Sequence, residues 1–367
     1  MPTMRRALIV AGAILLSGGI ALAMLYAFEG YLRFADPRKH LPLNGVVEGK
    51  RYTYGHLVSE NRWGFREREF VSPKPQSLYR IMVLGDSMTW GIGLPVEARY
   101  SDQLEGLLQR EFPMKRFEVL NFSRPGISTT VERDVLREFK HLAQPDLIIV
   151  GFCINDTQPL FQNHSVERGR LERVYGKRLG GVSSILEHVG LAHTRERLRT
   201  AFYRMAEVTG AVPAWQEALQ RTYEMDSGEW AEFRRALREI KTMSDELGLP
   251  PPIFAVLNQG IYSDRPTDYV HPDEELQRFL RWYHQAEHAA AQEGFRTHNF
   301  ERDMAAQFTQ DIPAVNVLDA HPSGALNRLY AMRLAELVAQ DLRRTERLGR
   351  RLAEPSAGLN SRGGGDG

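Results

Sequence analysis

The chain has 367 residues, long for one small domain and short for three, which fits two domains or one large, decorated α/β domain. Hydrophobic residues make up 43% and charged residues 25%, ordinary globular values that exclude wholesale disorder. The 47 basic residues are balanced by 46 acidic ones, which argues against a nucleic-acid binder, and the single cysteine, Cys153, excludes an intramolecular disulfide framework and a multi-cysteine zinc site.

The first predicted element is a membrane segment. Arg5 and Arg6 precede Ala7–Phe28, a run without charge. At about 1.5 Å per residue such a helix spans roughly 33 Å, enough to cross a hydrocarbon core. Ala21-Leu22-Ala23 also fits a signal-peptidase site, but the apolar run continues through Met24, Leu25, Tyr26 and Phe28, which favours an uncleaved anchor over residues 1–29. No cysteine follows, so a lipoprotein anchor is excluded. Arg33, Arg38 and Lys39 nearly balance the flanking charge. A short N-terminal flank ahead of a large soluble part suits export, which places the bulk of the chain on the outer, periplasmic side of a bacterial-type inner membrane.

Residues 30–78 are polar and carry Pro37, Pro42, Pro73 and Pro75, and they read as a stalk and irregular lead-in. From there strands and helices alternate. Arg80–Leu84 is an apolar run closed by Gly85, and residues 96–112 suit a helix. Phe117–Asn121 is a second strand, 129–143 a second helix and Asp146–Val150 a third strand. Ile253–Leu257 is a fourth strand, and helix 273–292 carries Leu276, Phe279, Leu280 and Tyr283 on one stripe. A weaker strand lies near 295–300, and a helix over 325–343 closes a domain that spans 79–345. Such alternation predicts a parallel sheet covered on both faces. Residues 157–250 interrupt it. Trp230, Phe233, Leu237, Ile240, Met243 and Leu247 recur there at helical spacing, which predicts a helical insertion. Residues 346–367 end in a glycine-rich stretch and are expected to be disordered.

Candidate chemistry lies on the loops that follow the strands. Gly85-Asp86-Ser87 places a serine at the carboxyl edge of the sheet, where open α/β folds bind ligands. Alone the tripeptide is also an ordinary strand-to-turn cap. A serine nucleophile needs a base. His321 lies in Asp319-Ala320-His321-Pro322, where an aspartate two residues away can hold the imidazole tautomer. Asp268 and His271 form a second Asp/His pair, but it precedes a helix with more sheet after it. Oxyanion donors are available at Gly126, by its N–H, and at Asn155, by its side-chain amide. Cys153 reads as a small buried hydrophobe.

This ordered set resembles the SGNH (GDSL-type) hydrolase family. Gly85–Gly91 is similar to its first block, Asn121–Thr129 to its second, Asn155-Asp156 to its third and Asp319–Pro322 to its last, and Asn61–Arg66 resembles a lead-in of bacterial members. The third block of the family carries glycine two residues before the asparagine, where Cys153 stands here. The resemblance implies a three-layer α/β/α sandwich with a central parallel sheet, to which the helical insertion and the N-terminal transmembrane helix are added. It implies Ser87 as nucleophile, His321 as base, Asp319 as its orienter, and an oxyanion hole of Ser87, Gly126 and Asn155. It implies neither metal nor organic cofactor. Arg124, in the second block, and Trp90, in the first, are candidate substrate contacts, although Arg124 reads more readily as a surface residue. Three functions follow: an esterase acting on acyl or acetyl groups of envelope carbohydrate or lipid, an O-acyltransferase with the same triad, and a non-catalytic module that binds glycan or a partner at the membrane. No nucleic-acid partner is expected, and the sequence names no protein partner.

Overall fold

The computed structural model describes residues 2–158, 162–212, 215–258, 269–308, 314–316 and 319–353. In chain order the elements are α1 (Pro2–Ala35), a 3₁₀ turn (Pro37–His40), β1 (Gly45–Val47), β2 (Lys50–Thr53), β3 (His56–Leu57), β4 (Leu78–Gly85), α2 (Ser87–Trp90), a 3₁₀ turn (Val96–Ala98), α3 (Tyr100–Glu111), β5 (Arg116–Asn121), α4 (Thr129–Ala143) and β6 (Leu147–Phe152). After these come α5 (Gln162–His188), α6 (Ala192–Val208), α7 (Trp215–Thr222), α8 (Gly228–Glu246), β7 (Ile253–Val256), α9 (Glu274–Gln292), β8 (Arg296–Asn299), α10 (Glu301–Gln307), β9 (Ala314–Asn316), β10 (Asp319–Pro322) and α11 (Gly324–Ala353). The chain divides into two compact units, Met1–Pro42 with Gln158–Trp230, and Leu43–Thr157 with Ala231–Gly367.

The second unit holds the α/β core. Its five strands pair in parallel in the order β5-β4-β6-β7-β8. Ile81, Met82, Val83, Leu84, Ile148, Ile149, Val150, Phe254 and Ala255 are fully buried, because helices cover both faces of a parallel sheet. The chain leaves β4 towards β5, then reverses past β4 to β6. Right-handed crossovers therefore put α3 and α4 on opposite faces. Tyr100 of α3 meets Tyr330 of α11 on one face. On the other, Arg137 of α4 pairs with Glu239 of α8, and Phe152 packs against Phe233 of α8 and Tyr283 of α9. The carboxyl end of β4 is thus the point at which strand order reverses.

Three expectations are revised. The lead-in is not irregular: residues 45–57 form an antiparallel meander, β1-β2-β3. Its two turns, Glu48-Gly49 and Tyr54-Gly55, have positive φ at both residues (49° and 74°, then 43° and 90°), the backbone that a two-residue hairpin of type I′ needs. The closing helix runs to Ala353, ten residues past its expected end at 343, on a stretch rich in arginine and leucine, which propagate helices well. The glycine-rich end, 354–367, lies outside the described residues. The insertion also divides. Helices α5, α6 and α7 belong to the first unit with α1, whereas Phe233, Leu237 and Ile240 of α8 are buried in the α/β core.

Arg80 sits fully buried inside the apolar run of β4. Its Nε pairs with Glu118, its neighbour across β5, and its remaining donors reach the Ala143 and Val71 carbonyls. Removing the guanidinium strands these acceptors. Arg80→Met is expected to lower the free energy of unfolding by about 3 kcal/mol or more, read from the urea midpoint. A variant with the wild-type midpoint would show that the network contributes nothing.

Candidate active site

Two glycines make room for the serine loop. Gly85 ends β4 and is in register with Gly151 of β6. A Cβ on Gly85 would stand 2.1 Å from Thr89 Oγ1, and one on Gly151 would stand 2.4 Å from Thr89 Oγ1 and from the Tyr100 hydroxyl. Thr89 therefore nests between the two strand ends, bonded to Tyr100 at 3.0 Å. Asp86 caps α2 by accepting from Met88 N at 2.9 Å. Gly91, at φ 79°, ends it, and the Arg99 side chain fills the space that a Cβ there would need. This short, capped turn lifts Ser87 out of the sheet while Met88, Thr89 and Trp90 are buried.

Ser87, at the start of α2, meets Asp319 and His321, which the sequence placed on a loop and the structure places on a strand. His321 Nε2 lies 2.9 Å from Ser87 Oγ. Its Nδ1 lies 2.5 Å from Asp319 Oδ1, which also accepts the His321 backbone N–H at 3.0 Å. Burial works against the charge on Asp319, but the bonds from His321 and the Tyr54 hydroxyl outweigh it and hold the carboxyl below the usual carboxylate range. Asp319 and His321 lie on β10, which pairs antiparallel with β9. His271 is exposed ahead of α9, and Asp268 lies outside the described residues.

Gly126 and Asn155 occupy the loops after β5 and β6, the strands that flank β4, and both are half-buried. The second-block loop lies along the end of β4, with Phe122 N donating to Val83 O and Arg124 N to Gly85 O. Gly126 adopts φ 78°, a left-handed backbone that glycine takes without strain. In the third block, Cys153 N donates to Asp156 Oδ2 at 2.6 Å and Asp156 N to Cys153 O at 3.0 Å, a tight turn with Asn155 at its tip. Cys153 is 2% exposed, and burial followed by the charges of Asp86 and Asp156 pushes its thiol well up, which leaves it unreactive.

The two candidate substrate contacts differ. Arg124 is exposed, but its guanidinium donates to Trp63 O at 3.1 Å and lies 4.4 Å from the centre of the Phe65 ring. Trp90 is only 4% exposed, with the guanidinium groups of Arg66 and Arg51 at 4.7 and 5.3 Å from its ring centre. Its faces serve packing, because the family-like lead-in closes over it. Arg66, fully buried, donates to Gly91 O and Leu94 O at 2.9 and 2.6 Å, and so straps down the loop behind Ser87.

Sequence reasoning missed Tyr54, whose hydroxyl donates to Asp319 Oδ2 at 3.0 Å, and Thr53, which accepts the Gly93 N–H at 2.7 Å. The Tyr54-Gly55 turn signal was present, but nothing local ties it to a residue 265 positions away. A cluster of buried acids behind the site was missed as well. Asp86, Glu132 and Asp156 are all buried. Burial, and then repulsion from Asp86, pushes Glu132 and Asp156 well above the usual carboxylate range, with Glu132 adding to the shift at Asp156. The Thr129 hydroxyl opposes the shift at Glu132 but stands outside good hydrogen-bond geometry, and neither Glu132 oxygen has a partner among the described residues.

Glu132 thus keeps its proton in the folded chain to higher pH than in the unfolded chain. Above roughly pH 4.5 the folded state binds more protons, so this residue subtracts from stability increasingly as pH rises. Glu132→Gln removes that loss. The variant is expected to melt above wild type at pH 8, with the gap closing towards pH 4, by calorimetry. An equal or lower melting temperature at pH 8 contradicts the assignment.

No curated protein matches the chain. Among solved structures the chain is similar to TesA, with 14% identity over 70% of this chain and 97% of that one and a TM-score of 0.37. It is similar to the acetyl xylan esterase AlAXEase, with 11% identity over 71% and 99% of the two chains and a TM-score of 0.40. It is also similar to Axe2, an acetylxylan esterase from Geobacillus stearothermophilus, with 14% identity over 71% and 92% and a TM-score of 0.38. Residues 83–329, more than half of the chain, match the model of the GDSL-like lipase/acylhydrolase family. That match runs from the last residues of β4 through the serine loop, the third block and the Asp319–His321 strand into α11, and by it the chain belongs to the GDSL-like lipase/acylhydrolase family of ester-hydrolysing enzymes.

Proposed function

We propose that the chain is a membrane-anchored serine esterase that removes acetyl or short acyl groups from envelope carbohydrate or lipid. Ser87 is the nucleophile, His321 the general base and Asp319 the group that orients it. The observation that carries this reading is the hydrogen-bonded chain from Asp319 through His321 to Ser87. An ionised Asp319 takes the proton-bearing Nδ1, which leaves the Nε2 lone pair facing Ser87 Oγ. Oγ attacks the acyl carbonyl as its proton passes to Nε2. The oxyanion is met by the N–H groups of Ser87 and Gly126 and by the Asn155 amide. Collapse breaks the ester bond, and the His321 proton goes to the departing alkoxide. Water, deprotonated by His321, then attacks the acyl-serine and regenerates Ser87. A sugar hydroxyl in place of water gives acyl transfer by the same steps, so a sugar acceptor in the assay separates the two outcomes.

The kinetic test uses a short-chain nitrophenyl ester, with circular dichroism to confirm folding. Ser87→Ala and His321→Ala are each expected to lose about 10⁴-fold or more in kcat, with Asp319→Ala losing less. Asn155→Ala is expected to lose roughly 10²–10³-fold in kcat at nearly constant KM. His271→Ala should stay within a few-fold of wild type. Loss of activity in His271→Ala beside an active His321→Ala defeats the assignment.

The anchor part of the proposal is supported by α1. Met4–Ala35 is long and apolar enough to cross a membrane. A C-terminal alkaline phosphatase fusion is expected to be active and to stay with membranes after carbonate washing. A soluble, shortened product instead identifies Ala23 as a cleavage site.

A further inference from the structure

The first unit carries a second apolar feature beside α1. Helix α5 ends at His188 and its C-terminal turn closes at Gly190, φ 77°, with Gly190 N donating to Glu187 O at 3.1 Å and Leu191 N to Leu186 O at 2.7 Å. Helix α6 begins two residues later and has no side-chain cap from its own N-cap residue, Leu191. Glu29 of α1 supplies the cap. It accepts from His193 N at 3.1 Å, Thr194 N at 2.8 Å and Thr194 Oγ1 at 2.8 Å, and is itself buried. The two carbonyls at the turn are also taken by α1: Tyr26 donates to Val189 O at 3.0 Å and Arg33 to Gly190 O.

Tyr26 belongs to the uncharged run that ends at Phe28, so it stands about 3 Å inside the end of that run. With α1 across a bilayer, the α5–α6 turn is therefore held at the boundary between hydrocarbon and headgroups. Its polar backbone is satisfied by α1, which is the condition for entering that depth. Its side chains match. Val182 and Ile185 of α5 and Val189 in the turn just after it, spaced i, i+3 and i+7, are 48%, 64% and 44% exposed. At the same end of α1, Tyr31 and Phe34 are 63% and 77% exposed. Lys177 and Arg178 lie exposed on α5 before this stripe, and Arg33 is exposed beside the turn, a placement that suits anionic headgroups.

We propose that the α5–α6 turn is a lipid-facing element, with Val182, Ile185 and Val189 seated at the acyl–headgroup boundary beside the anchor. The occupant of this face is the bilayer. The proposal rests on the anchor reading above and adds that the insertion meets the membrane itself, through a turn that α1 caps and orients.

The test uses the full chain in phosphatidylethanolamine–phosphatidylglycerol vesicles. Cys153 is buried, so single cysteines introduced by Ile185→Cys, Val189→Cys or Leu15→Cys can be labelled selectively with an NBD fluorophore. Emission is read against lipid carrying a doxyl group near the headgroup for positions 185 and 189, lipid carrying it near the acyl-chain end for position 15, and aqueous iodide for all three. Leu15 lies in the middle of the uncharged run and reports insertion of α1. With Leu15 quenched by lipid, labels at 185 and 189 are expected to be quenched at least about twofold more by doxyl lipid than by iodide. Iodide quenching without doxyl quenching at 185 and 189 places the turn in water and overturns the proposal. Protection from both quenchers indicates a protein-covered face, as a second copy of the chain would give, and overturns it too. A Leu15 label that lipid does not quench removes the anchor reading and this one with it. All three positions lie outside the catalytic machinery, so labelled chains should keep wild-type esterase activity, which verifies their folding.

Discussion

Two missing side chains set the geometry on which the site depends. At the ends of β4 and β6, Gly85 and Gly151 face each other in register, and the space where their Cβ atoms would stand is filled by Thr89. The serine turn can thus fold back over the sheet edge within one helical turn, with Asn121 donating to Thr89 O from the next strand at 2.7 Å. A side chain at either glycine would move Thr89, and with it the hydroxyl of Ser87 relative to the His321 ring. The third-block departure from the family pattern is intelligible in the same terms. Gly151 is held by its contact with Thr89, whereas Cys153 sits in a turn closed by Asp156, where a small apolar side chain is buried without strain.

Around this point the protein holds charge of both signs out of water, by different means. Arg66, Arg80 and Arg99 are fully buried and spend their donors on carbonyls and carboxylates. Burial and the nearby Arg99 still pull the Arg66 guanidinium down to about 10, which leaves it charged at neutral pH. Such cations act as cross-links, since one planar donor set can bind several backbone carbonyls from separate loops. The buried acids behave oppositely. Glu132 has no donor partner among the described residues, and its environment favours the neutral form. Strapping by arginine and neutralisation of acids leave Asp319, at the site itself, as a carboxylate held ionised by its bonds to His321 and Tyr54.

The first unit uses a related device. Helix α6 lacks a capping side chain of its own, and a glutamate from the apolar N-terminal helix replaces it. A carboxylate at a helix N-terminus satisfies open N–H groups and opposes the positive end of the helix dipole. Arg33, one turn along α1, pairs with the same glutamate at 3.0 Å. The polar residues that follow the apolar run are therefore engaged with the helical insertion, which explains why the chain carries a glutamate and an arginine directly after a stretch without charge.

Elements that depend on local pattern were legible in the residues themselves. Apolar runs marked β4, β6 and β7, which are largely buried on both faces, β5 was legible despite Glu118, and α9 followed from a stripe at helical spacing. Strand β8, with Arg296, Thr297, His298 and Asn299 all half-buried at the sheet edge, gave the weakest signal for the same reason. Ser87, Gly126, Asn155, Asp319 and His321 were legible because turn glycines and polar residues stand directly after apolar runs. Tertiary structure alone decided what distance in the chain conceals. Strand order is set by crossovers and long-range packing, so the reversal at β4 has no local signature. Tyr54 reaches Asp319 across 265 positions, Arg66 reads as a surface residue until its loop is closed over it, and Glu132 is one polar residue on an amphipathic helix until Asp86 and Asp156 are brought beside it. The insertion was visible as helices, but its division between two units depended on which buried stripe found a partner, and neither helical periodicity nor composition encodes that choice.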